Sequence, residues 1–314
     1  MLQYLAKRIG RSMISLFIII SVVFILLRQM PIEGYFSNFD KLSDLQIQNG
    51  LEQLGLLDPM PVQLFNFWKE LLLEGSLGNS ITYREDVPVI DIVVEKLPYS
   101  IKLGSMAILL SLFIGIPMGT LMARYKGKFF DKFGTMFIVF IQAVPAAVYF
   151  LFVQLYGTLA LDISLLFNEA NPKSWILPVI SLALGNIAYY AMWLRRYMVD
   201  ELNKDYVKLA TAKGLSGNKV MFTHVFRNAF VPLVQYLPSS FLNTIIGSIY
   251  IESLYSVPGM GGLLVQVIKA SDNNMVQGIV LMFATVGVLG LLLGDLMMTV
   301  LDPRIKLNKQ GEGR

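Results

Sequence analysis

Cysteine is absent from this sequence, and histidine occurs once, at His224. The chain therefore contains no disulfide, no thiol nucleophile and no site built from several histidines. Charge is also scarce, since Asp, Glu, Lys and Arg make up 15% of the 314 residues, whereas a soluble domain carries about 25%. With 55% hydrophobic residues and a mean hydropathy of +0.59, the composition indicates an integral membrane protein.

The sequence also lacks the Gly-x-x-x-x-Gly-Lys-Ser/Thr pattern of a nucleotide-binding P-loop. Its glycine-rich stretch SVPGMGG, at 256–262, has neither that ending nor a strand before it, so we exclude nucleotide binding there. The mild net charge of +4 gives no indication of nucleic-acid binding. Any process driven by ATP must therefore draw its energy from a partner.

Six apolar runs are each long enough to cross about 30 Å of hydrocarbon as a helix. The first follows a basic N-terminal segment, and no small-residue cleavage site comes after it, so we expect a retained span rather than a signal peptide. Assigning alternate sides to the loops places eighteen Lys and Arg with both termini and eight on the other face. The positive-inside rule then predicts an all-α protein with six transmembrane helices and both termini cytoplasmic. The runs cover 9–30, 99–123, 133–159, 175–194, 230–251 and 275–301.

The segment between the first two runs is polar and acidic, with eleven Asp and Glu against four Lys and Arg at 33–97. That bias is wrong for a cytoplasmic loop, so we place the segment outside as a small folded cap. It carries helical patterns around LSDLQIQNGLEQLG and PVQLFNFWKELLLEG and an extended pattern around VPVIDIVV. The predicted organisation is a basic segment with span one (1–30), the cap (31–98), a core (99–301) with a cytoplasmic loop at 195–229, and a cytoplasmic tail (302–314).

A basic stretch of mixed polarity, DYVKLATAKGLSGNKVMFTHVFRNAFVP, lies between two apolar runs at 205–232. We expect Asp205 to cap a short amphipathic helix, Gly214 to end it with a positive φ, and Ser216 to cap a second helix. The product is a rigid hairpin at a membrane surface, which suits docking into a groove of another protein. An amphipathic hairpin lying on the lipid interface is the alternative.

This stretch resembles the coupling loop of bacterial ABC-transporter permeases, through Ala210, Ala212, Gly214 and the AFVP that ends at Pro232. The segments YVKLATAKGLS and HVFRNAFVPLV resemble more narrowly the importer branch for oligopeptides, dipeptides and nickel. The general motif of these permeases begins Glu-Ala-Ala, where this chain has KLA at 208–210. The proline of the general motif also lies less far downstream than Pro232 does in this chain. The importer branch tolerates both departures. The ordering of the cap segments and the LDPRIK after the last run extend the resemblance over nearly the whole chain.

The resemblance implies that the hairpin fits a cleft on an ATP-hydrolysing subunit and moves with nucleotide-driven closure. Alanines and glycine would let the two backbones approach closely, and basic side chains would pair with acidic groups. The residues assigned to this coupling surface are Asp205, Ala210, Ala212, Lys213, Gly214, Ser216, Arg227 and Pro232. In the same family YSVPGMGGLLVQVI is a short re-entrant turn and helix at the external mouth, which assigns Pro258, Gly259, Gly261 and Gly262 to that mouth.

Five amide side chains lie within the predicted spans. They either line a wet path for a peptide backbone or join helices to one another, and the sequence leaves both interpretations open. These residues are Gln142, Gln154, Asn186, Gln235 and Asn243. Prolines at five positions are expected to interrupt or kink spans, namely Pro117, Pro145, Pro178, Pro232 and Pro238.

Two further titratable residues are interpreted as structural. Asp295 lies near the cytoplasmic end of the last run, where it stays solvated or pairs with Arg195 or Arg196, and a proton relay would need deeper acids. His224 is interpreted as a surface contact rather than a ligand.

The resemblance therefore implies a permease subunit, not an enzyme, that forms half of an import path for short peptides in a prokaryotic cell membrane. The implied partners are a homologous permease, two ABC ATPase subunits that bind ATP and Mg, and an extracytoplasmic binding protein. No cofactor, metal or nucleic acid is expected in this chain itself. Nickel or another small solute is the alternative cargo. An ATP-independent secondary transporter or channel and an intramembrane enzyme are the alternative classes.

Overall fold

The computed structural model describes residues 2–36, 38–247 and 249–301, although some side chains near the first and last helices and in 235–248 are not described. Within these ranges the elements are helices and turns, and the only extended pairing is an isolated antiparallel bridge between Asn79 and Pro88. The α-helices are α1 Leu2–Leu27, α2 Asp44–Gln53, α3 Met60–Lys69, α4 Val89–Arg124, α5 Phe129–Ala143, α6 Ala146–Leu161, α7 Ile176–Leu202, α8 Asp205–Ala212, α9 Gly217–Lys219, α10 Arg227–Gly247, α11 Ile249–Tyr255, α12 Met260–Lys269 and α13 Asn273–Leu301. Short 3₁₀ turns occupy Ile32–Tyr35, Phe39–Lys41 and Pro172–Trp175, and π-helical turns follow α3 at Glu70–Glu74 and α9 at Val220–Phe226.

Four of the described helical segments are long and apolar enough to cross a membrane, and two bent helix pairs raise the number to six. The four segments belong to α1, α4, α7 and α13, and the pairs are α5 with α6 and α11 with α12. The fifth predicted span corresponds to α10, whose amides, serines and prolines make it more polar than those segments. By length and composition alone, the bent pair of α11 with α12 thus takes the place of α10 in the count of six.

The third predicted span is broken rather than straight. Helix α5 ends at Ala143 and α6 begins at Ala146, and the two axes differ by 108°. Pro145 occupies the N-cap of α6 with an extended backbone, which places the break where the proline was expected to interrupt the span. By contrast, α4 continues through Pro117 and α10 continues through Pro232 and Pro238.

Helix α4 begins ten residues before the predicted second span, so the expectation of extended structure around VPVIDIVV is wrong. Val89, Ile92 and Val93 are buried while Ile90 and Val94 are exposed, which is the period of a helix and not of a strand. The β-branched composition of this stretch suggested a strand, but packing against α12 and α13 determined the outcome. The predicted end of the cap, at residue 98, consequently lies inside α4.

The centre of the molecule is the packing of α4 along α7. Gly115 and Gly119 are spaced as a Gly-x-x-x-Gly pair on α4, and side chains there would meet the backbone of α7. A Cβ on Gly119 would lie 2.7 Å from the carbonyl oxygen of Ala191, and one on Gly115 would lie 3.0 Å from that of Ile187. Small residues of this kind let membrane helices approach closely. Helix α13 packs against both α1 and α10 around this pair.

The two helices predicted in the cap are present as α2 and α3. Ser43 and Gln46 form a capping box at the start of α2, with each side chain paired to the backbone of the other residue. Helix α3 lies against α1, where Phe67 stacks on Phe24 and the indole nitrogen of Trp68 donates to Ser21 Oγ at 3.0 Å. The cap is therefore packed onto the outer part of α1.

Candidate functional sites: the hairpin, a polar cavity and the outer turns

The stretch between α7 and α10 forms a helical hairpin with a Schellman turn, as the sequence predicted. Gly214 has φ +78°, and its N–H donates to the carbonyl of Thr211 at 2.9 Å. The N–H of Leu215 donates to the carbonyl of Ala210 at 3.3 Å, which completes the two bonds of the motif. Nothing lies within 4 Å of where a Cβ on Gly214 would stand. Glycine is needed here for its backbone conformation and not for space.

The hairpin presents one side to solvent and packs the other into the protein. Ala212, Lys213, Gly214 and Ser216 are exposed. Ala210 is buried in a hydrophobic cluster with residues of α7 and α10, so it holds the hairpin to its own chain. The expectation that Ala210 lets a partner backbone approach is therefore wrong.

The capping predicted for this hairpin differs in detail from what is observed. Lys204 occupies the N-cap of α8 without a side-chain hydrogen bond, and Asp205 is the first helical residue. Asp205 accepts instead from Lys208 Nζ at 2.9 Å, in a pair whose side chains are 96% and 70% exposed. Its charge still favours the positive end of the helix dipole. Ser216 does occupy the N-cap of α9, although its side chain makes no capping bond.

Tyr206 joins the parts of the hairpin at its base. Its hydroxyl donates to the carboxylate of Glu201, accepts from Asn228 Nδ2 at 2.9 Å and lies 3.4 Å from the carbonyl oxygen of His224. Burial and the hydrogen bond to Glu201 raise the pKa of Tyr206, so it stays a neutral donor. Arg227 is exposed at the start of α10. No local pattern in the sequence indicates this role of Tyr206.

A second connection at this end of the molecule was also missed. Asp131, at the start of α5, is buried and pairs with both Arg195 Nε and Arg195 Nη2, and it accepts from the N–H of Gly127 at 2.7 Å. This bidentate pair ties the turn before α5 to α7. Arg195 is one of the two predicted partners of Asp295, whose side chain lies outside the described residues.

A cavity of about 460 Å³ opens between α6, α7 and α10. Asn186 lies on its wall, where its amide donates to Thr244 Oγ1 at 3.2 Å. The other polar members of the wall are hydroxyl-bearing: Tyr149, Tyr189, Tyr236, Ser239, Ser240 and Thr244. These tyrosines and serines were not selected from the sequence, because only their meeting on three helices distinguishes them from other core residues.

Of the remaining predicted path residues, the two whose side chains are described, Gln142 and Gln154, lie outside this cavity. Gln154, on α6, is buried and donates to the carbonyls of Leu165 and Leu254 at 3.2 and 3.0 Å, so it joins α6 to the loop that follows it and to α11. Gln142 is exposed, and its amide lies 3.4 Å from Met192 Sδ. The side chains of Gln235 and Asn243 lie outside the described residues.

The predicted external turn lies between α11 and α12, whose axes differ by 79°. A Cβ on Gly261 would stand 2.1 Å from the Cα of Ile249, and one on Gly259 would stand 2.4 Å from Glu252 Oε2. The N–H of Gly261 donates to Glu252 at 2.6 Å, and that of Met260 donates to Ser100 Oγ at 2.8 Å. The turn is thus buried and tightly packed. Its two glycines are required because Ile249 and Glu252 approach the turn too closely to leave room for a side chain. Gly262 is buried and Pro258 half-buried beside them.

Asp272 is the most heavily hydrogen-bonded carboxylate of the described outer turns. Its Oδ2 accepts from Ser80 Oγ at 2.7 Å and from the N–H groups of Ile81, Thr82 and Tyr83 at 2.9, 3.0 and 3.1 Å. Its Oδ1 caps α13 by accepting from an N–H at 3.0 Å. Asp272 thereby fastens the end of the cap to the core, a role that sequence spacing gives no signal for.

Residues 115–307 match the family described as the binding-protein-dependent transport system inner membrane component, and residues 1–104 match the N-terminal part of such membrane components. The chain belongs to this family. It is therefore a multi-pass inner-membrane permease subunit, and the resemblance stated from the hairpin residues is confirmed.

Named relatives agree with this assignment. The dipeptide transport system permease protein DppB of Lactococcus lactis subsp. cremoris is 30% identical over 308 residues, which cover 98% of this permease and 100% of DppB. The oligopeptide transport system permease protein AmiC of Streptococcus pneumoniae serotype 4 is 37% identical over 210 residues, or 66% of this permease and 42% of AmiC. The match thus spans less than half the length of AmiC.

Solved structures establish the permease fold independently. The MetNI methionine ABC transporter in an inward-facing conformation aligns with a TM-score of 0.54 and 12% identity, over 68% of this permease and 97% of that chain. An amino acid ABC transporter described with histidines aligns with a TM-score of 0.53 and 15% identity, over 69% and 95% of the two chains. At this identity the likeness concerns the fold of an ABC importer permease.

Proposed function

We propose that this permease forms one half of the translocation path of an ATP-driven importer for short peptides. The observation that carries the proposal is the exposed hairpin, which is held by a hydrophobic cluster shared with α7 and α10, two of the three helices around the polar cavity. The peptide cargo is supported by relatives named as oligopeptide and dipeptide permeases. Nickel is less favoured, because the described residues of the cavity wall offer hydroxyl groups and an amide rather than metal ligands.

The cavity chemistry suits a peptide backbone. Asn186, Ser240 and Thr244 can donate to or accept from amide groups, and Tyr189 and Tyr236 add aromatic surface without charge. A path lined in this way contacts the main chain that all peptides share and makes few demands on their side chains. The second half of the wall would come from a homologous permease subunit.

Coupling follows from the rigidity of the hairpin. Val207 and Val220 pack in the same cluster as Leu194 of α7 and Leu233 of α10, so a displaced hairpin carries both helices with it. Tyr206 prevents the base from opening because it bonds to both sides. Two ATPase subunits, which would bind ATP and Mg, would dock on the exposed surface around Lys213 and Gly214, and their closure would reshape the cavity. An extracytoplasmic binding protein would deliver the peptide.

Co-purification tests the proposal. The tagged permease is isolated from its native membrane in mild detergent, and its companions are identified by mass spectrometry. We expect a second six-span permease and P-loop ATPases, and peptide uptake by the assembled complex in vesicles that depends on ATP and on the binding protein. Uptake by the isolated chain without ATP would instead establish a secondary transporter.

A further inference from the structure

We propose that the turn between α4 and α5, together with the outward face of α5, binds an anionic phospholipid of the cytoplasmic leaflet. The segment begins with RYKGKFFDK at 124–132 and continues along α5 to Phe140. It combines exposed basic residues with exposed aromatic residues, which match the headgroup and the acyl chains of one lipid. The proposal does not rest on the function proposed above, since lipid binding is measured without transport.

The turn lies at the same end of the molecule as the hairpin. Asp131, near the start of α5, pairs with Arg195 on the last part of α7, the helix that leads into the hairpin. Arg124, the last residue of α4, lines a cavity together with the hairpin residues Val207 and Lys208. Because the hairpin end is cytoplasmic, the turn adjoins the leaflet that carries a negative surface potential.

The turn carries more positive charge than the described residues around it neutralise. Asp131, the one acid of 124–132, is buried and is held by Arg195 and by the N–H of Gly127. Its charge is therefore committed to Arg195. The basic residues of the stretch are exposed and form no ion pair with another of the described residues. These bases, Arg124, Lys126, Lys128 and Lys132, present a surface that an anionic group would complement.

Aromatic rings lie beside these bases. The ring centroid of Tyr125 lies 5.6 Å from that of Phe130. The ring of Phe129 lies 5.9 Å from that of Phe130 and 6.2 Å from that of Phe133. Phe129 is 74% exposed, which is unfavourable in water but favourable at the boundary between headgroups and acyl chains. The aromatic cluster therefore fits the level of the lipid headgroups.

The exposed apolar surface continues from this cluster along one face of α5. Its members recur every three or four residues, as one face of a helix requires, and they form the α5 stripe: Phe129, Phe133, Met136 and Phe140. The opposite face is packed on α4, where a Cβ on Gly134 would lie 2.4 Å from Met122 Sδ. The stripe rises about 17 Å along the helix, close to the half-thickness of about 15 Å of a hydrocarbon core. It thus has the length of one acyl leaflet.

A second permease subunit is the other candidate for this face, but charge argues against it. A homologous subunit follows the same positive-inside rule, so its cytoplasmic edge would bring further bases against Lys128 and Lys132. An anionic phospholipid instead supplies a phosphate for the bases and acyl chains for the α5 stripe. Basic clusters at the cytoplasmic edge of a membrane recognise anionic headgroups in this way.

Helix α6 provides a matched surface without the positive charge. It exposes Phe152 and Tyr156, whose rings stack on one another. The stretch LDISLLFNEANPK at 161–173, which begins at its end, contains two acids and one base. The exposed face of α6 should therefore contact lipids without selecting an anionic headgroup.

The absence of cysteine allows a fluorescent reporter at one site. Met136→Cys, labelled with bimane, is assembled with cysteine-free companion subunits in phosphatidylcholine nanodiscs that contain a minority of phosphatidylglycerol. A nitroxide quencher is placed at mid-chain on the phosphatidylglycerol in one sample and on an equal amount of phosphatidylcholine in the other. We expect quenching by the labelled phosphatidylglycerol to be at least about threefold stronger. The same reporter at Phe152→Cys should be quenched equally by both lipids.

Removal of the lysines that flank the α5 stripe tests the charge. Lys128→Gln combined with Lys132→Gln should lower the preference for phosphatidylglycerol at least about twofold. Lys204→Gln combined with Lys219→Gln removes the same charge from exposed positions at the hairpin and should leave the preference unchanged. Inorganic phosphate, added at constant ionic strength, should not displace the lipid, because it has no acyl chains to contact the stripe.

Four results would overturn the proposal. Equal quenching by the two lipids at Met136→Cys would mean that no headgroup is selected there, and no quenching by either would mean that a protein subunit covers the stripe. An equal loss of preference in the two double variants would reflect the overall charge of the cytoplasmic surface. Displacement of the lipid by millimolar phosphate would identify a simple anion site.

Discussion

The hairpin turn and the outer turn both depend on glycine, but for opposite physical reasons. Gly214 adopts φ +78° with open space around it, whereas Gly261 would bring a Cβ within 2.1 Å of the Cα of Ile249. The first glycine shapes an exposed surface, and the second permits two helices to meet. The turn proposed to receive a partner is left open, while the turn that holds the outer end of the core is filled.

The acidic residues of the two turns differ in the same way, one being exposed and the other buried. The side chain of Asp205, on the hairpin, is 96% exposed and has one exposed lysine partner. Asp272, at the outer turn, is fully buried and accepts from backbone N–H groups of two separate segments. Buried, satisfied carboxylates contribute to stability far more than exposed pairs do. The comparison therefore predicts effects of very different size.

The largest effect is expected for Gly261→Val. The added side chain would collide with the backbone of α11, which cannot shift without separating α11 from α12, so we expect a loss of about 4 kcal/mol or more. The measurement is the yield of monodisperse protein and its thermal midpoint in detergent. Gly287→Val, where a Cβ would meet nothing within 4 Å, is the control, and an equal loss in both would contradict the argument.

The next largest effect on stability is expected for Asp272→Ala. It leaves the N–H groups of Ile81, Thr82 and Tyr83 without their acceptor, and we expect a destabilisation of about 3 kcal/mol. Limited proteolysis should show earlier cleavage in the loop at 76–86. Asp40→Ala, at an exposed position of the cap, should leave the cleavage pattern unchanged. Unaltered cleavage of the Asp272→Ala protein would show that other contacts fasten the cap.

Gly214 allows backbone strain to be separated from docking. Gly214→Ala and Gly214→Asp should each cost about 1 kcal/mol, because both place a side chain in a left-handed conformation and neither meets a neighbour. Gly214→Asp also adds a charge to the proposed docking surface, so it should reduce transport-coupled ATP hydrolysis to the basal level while the protein remains inserted. Normal coupling in that variant would refute the assigned role of the hairpin.

The smallest effect is expected for Lys208→Ala. It removes an ion pair between two exposed side chains of one helix turn, which water already solvates well. The thermal midpoint should not change measurably at physiological salt. A clear decrease would indicate that the hairpin carries more stabilising charge than its exposure suggests.

Local signals in the sequence were sufficient for much of this structure. The Schellman glycine, the helices of the cap and the break at Pro145 follow from rules that act within a few residues. VPVIDIVV was misassigned because its β-branched residues are also compatible with a helix buried on one side. The proline gives the position of the break in the third span, but not its angle of 108°, which depends on how α5 and α6 pack against α7.

The candidate sites were harder to predict from the sequence than the fold was. Ala210 was assigned to the docking surface by its place in a motif, but only the fold shows that it faces inward. The cavity tyrosines and the ties made by Tyr206, Asp131 and Asp272 unite residues from distant segments. Their roles follow from partners that no local pattern identifies.

The hydrogen bonds from residues 80–83 to Asp272 also determine when the outer loop can fold during synthesis. Their acceptor is made about 190 residues after the donors, when five of the candidate spans have already emerged. Because domains form as the chain is synthesised, the outer loop must wait in an unfastened state until Asp272 and the start of α13, which it caps, reach the membrane. Chains arrested before residue 272 should therefore expose the loop at 76–86 to protease, and completed chains should protect it.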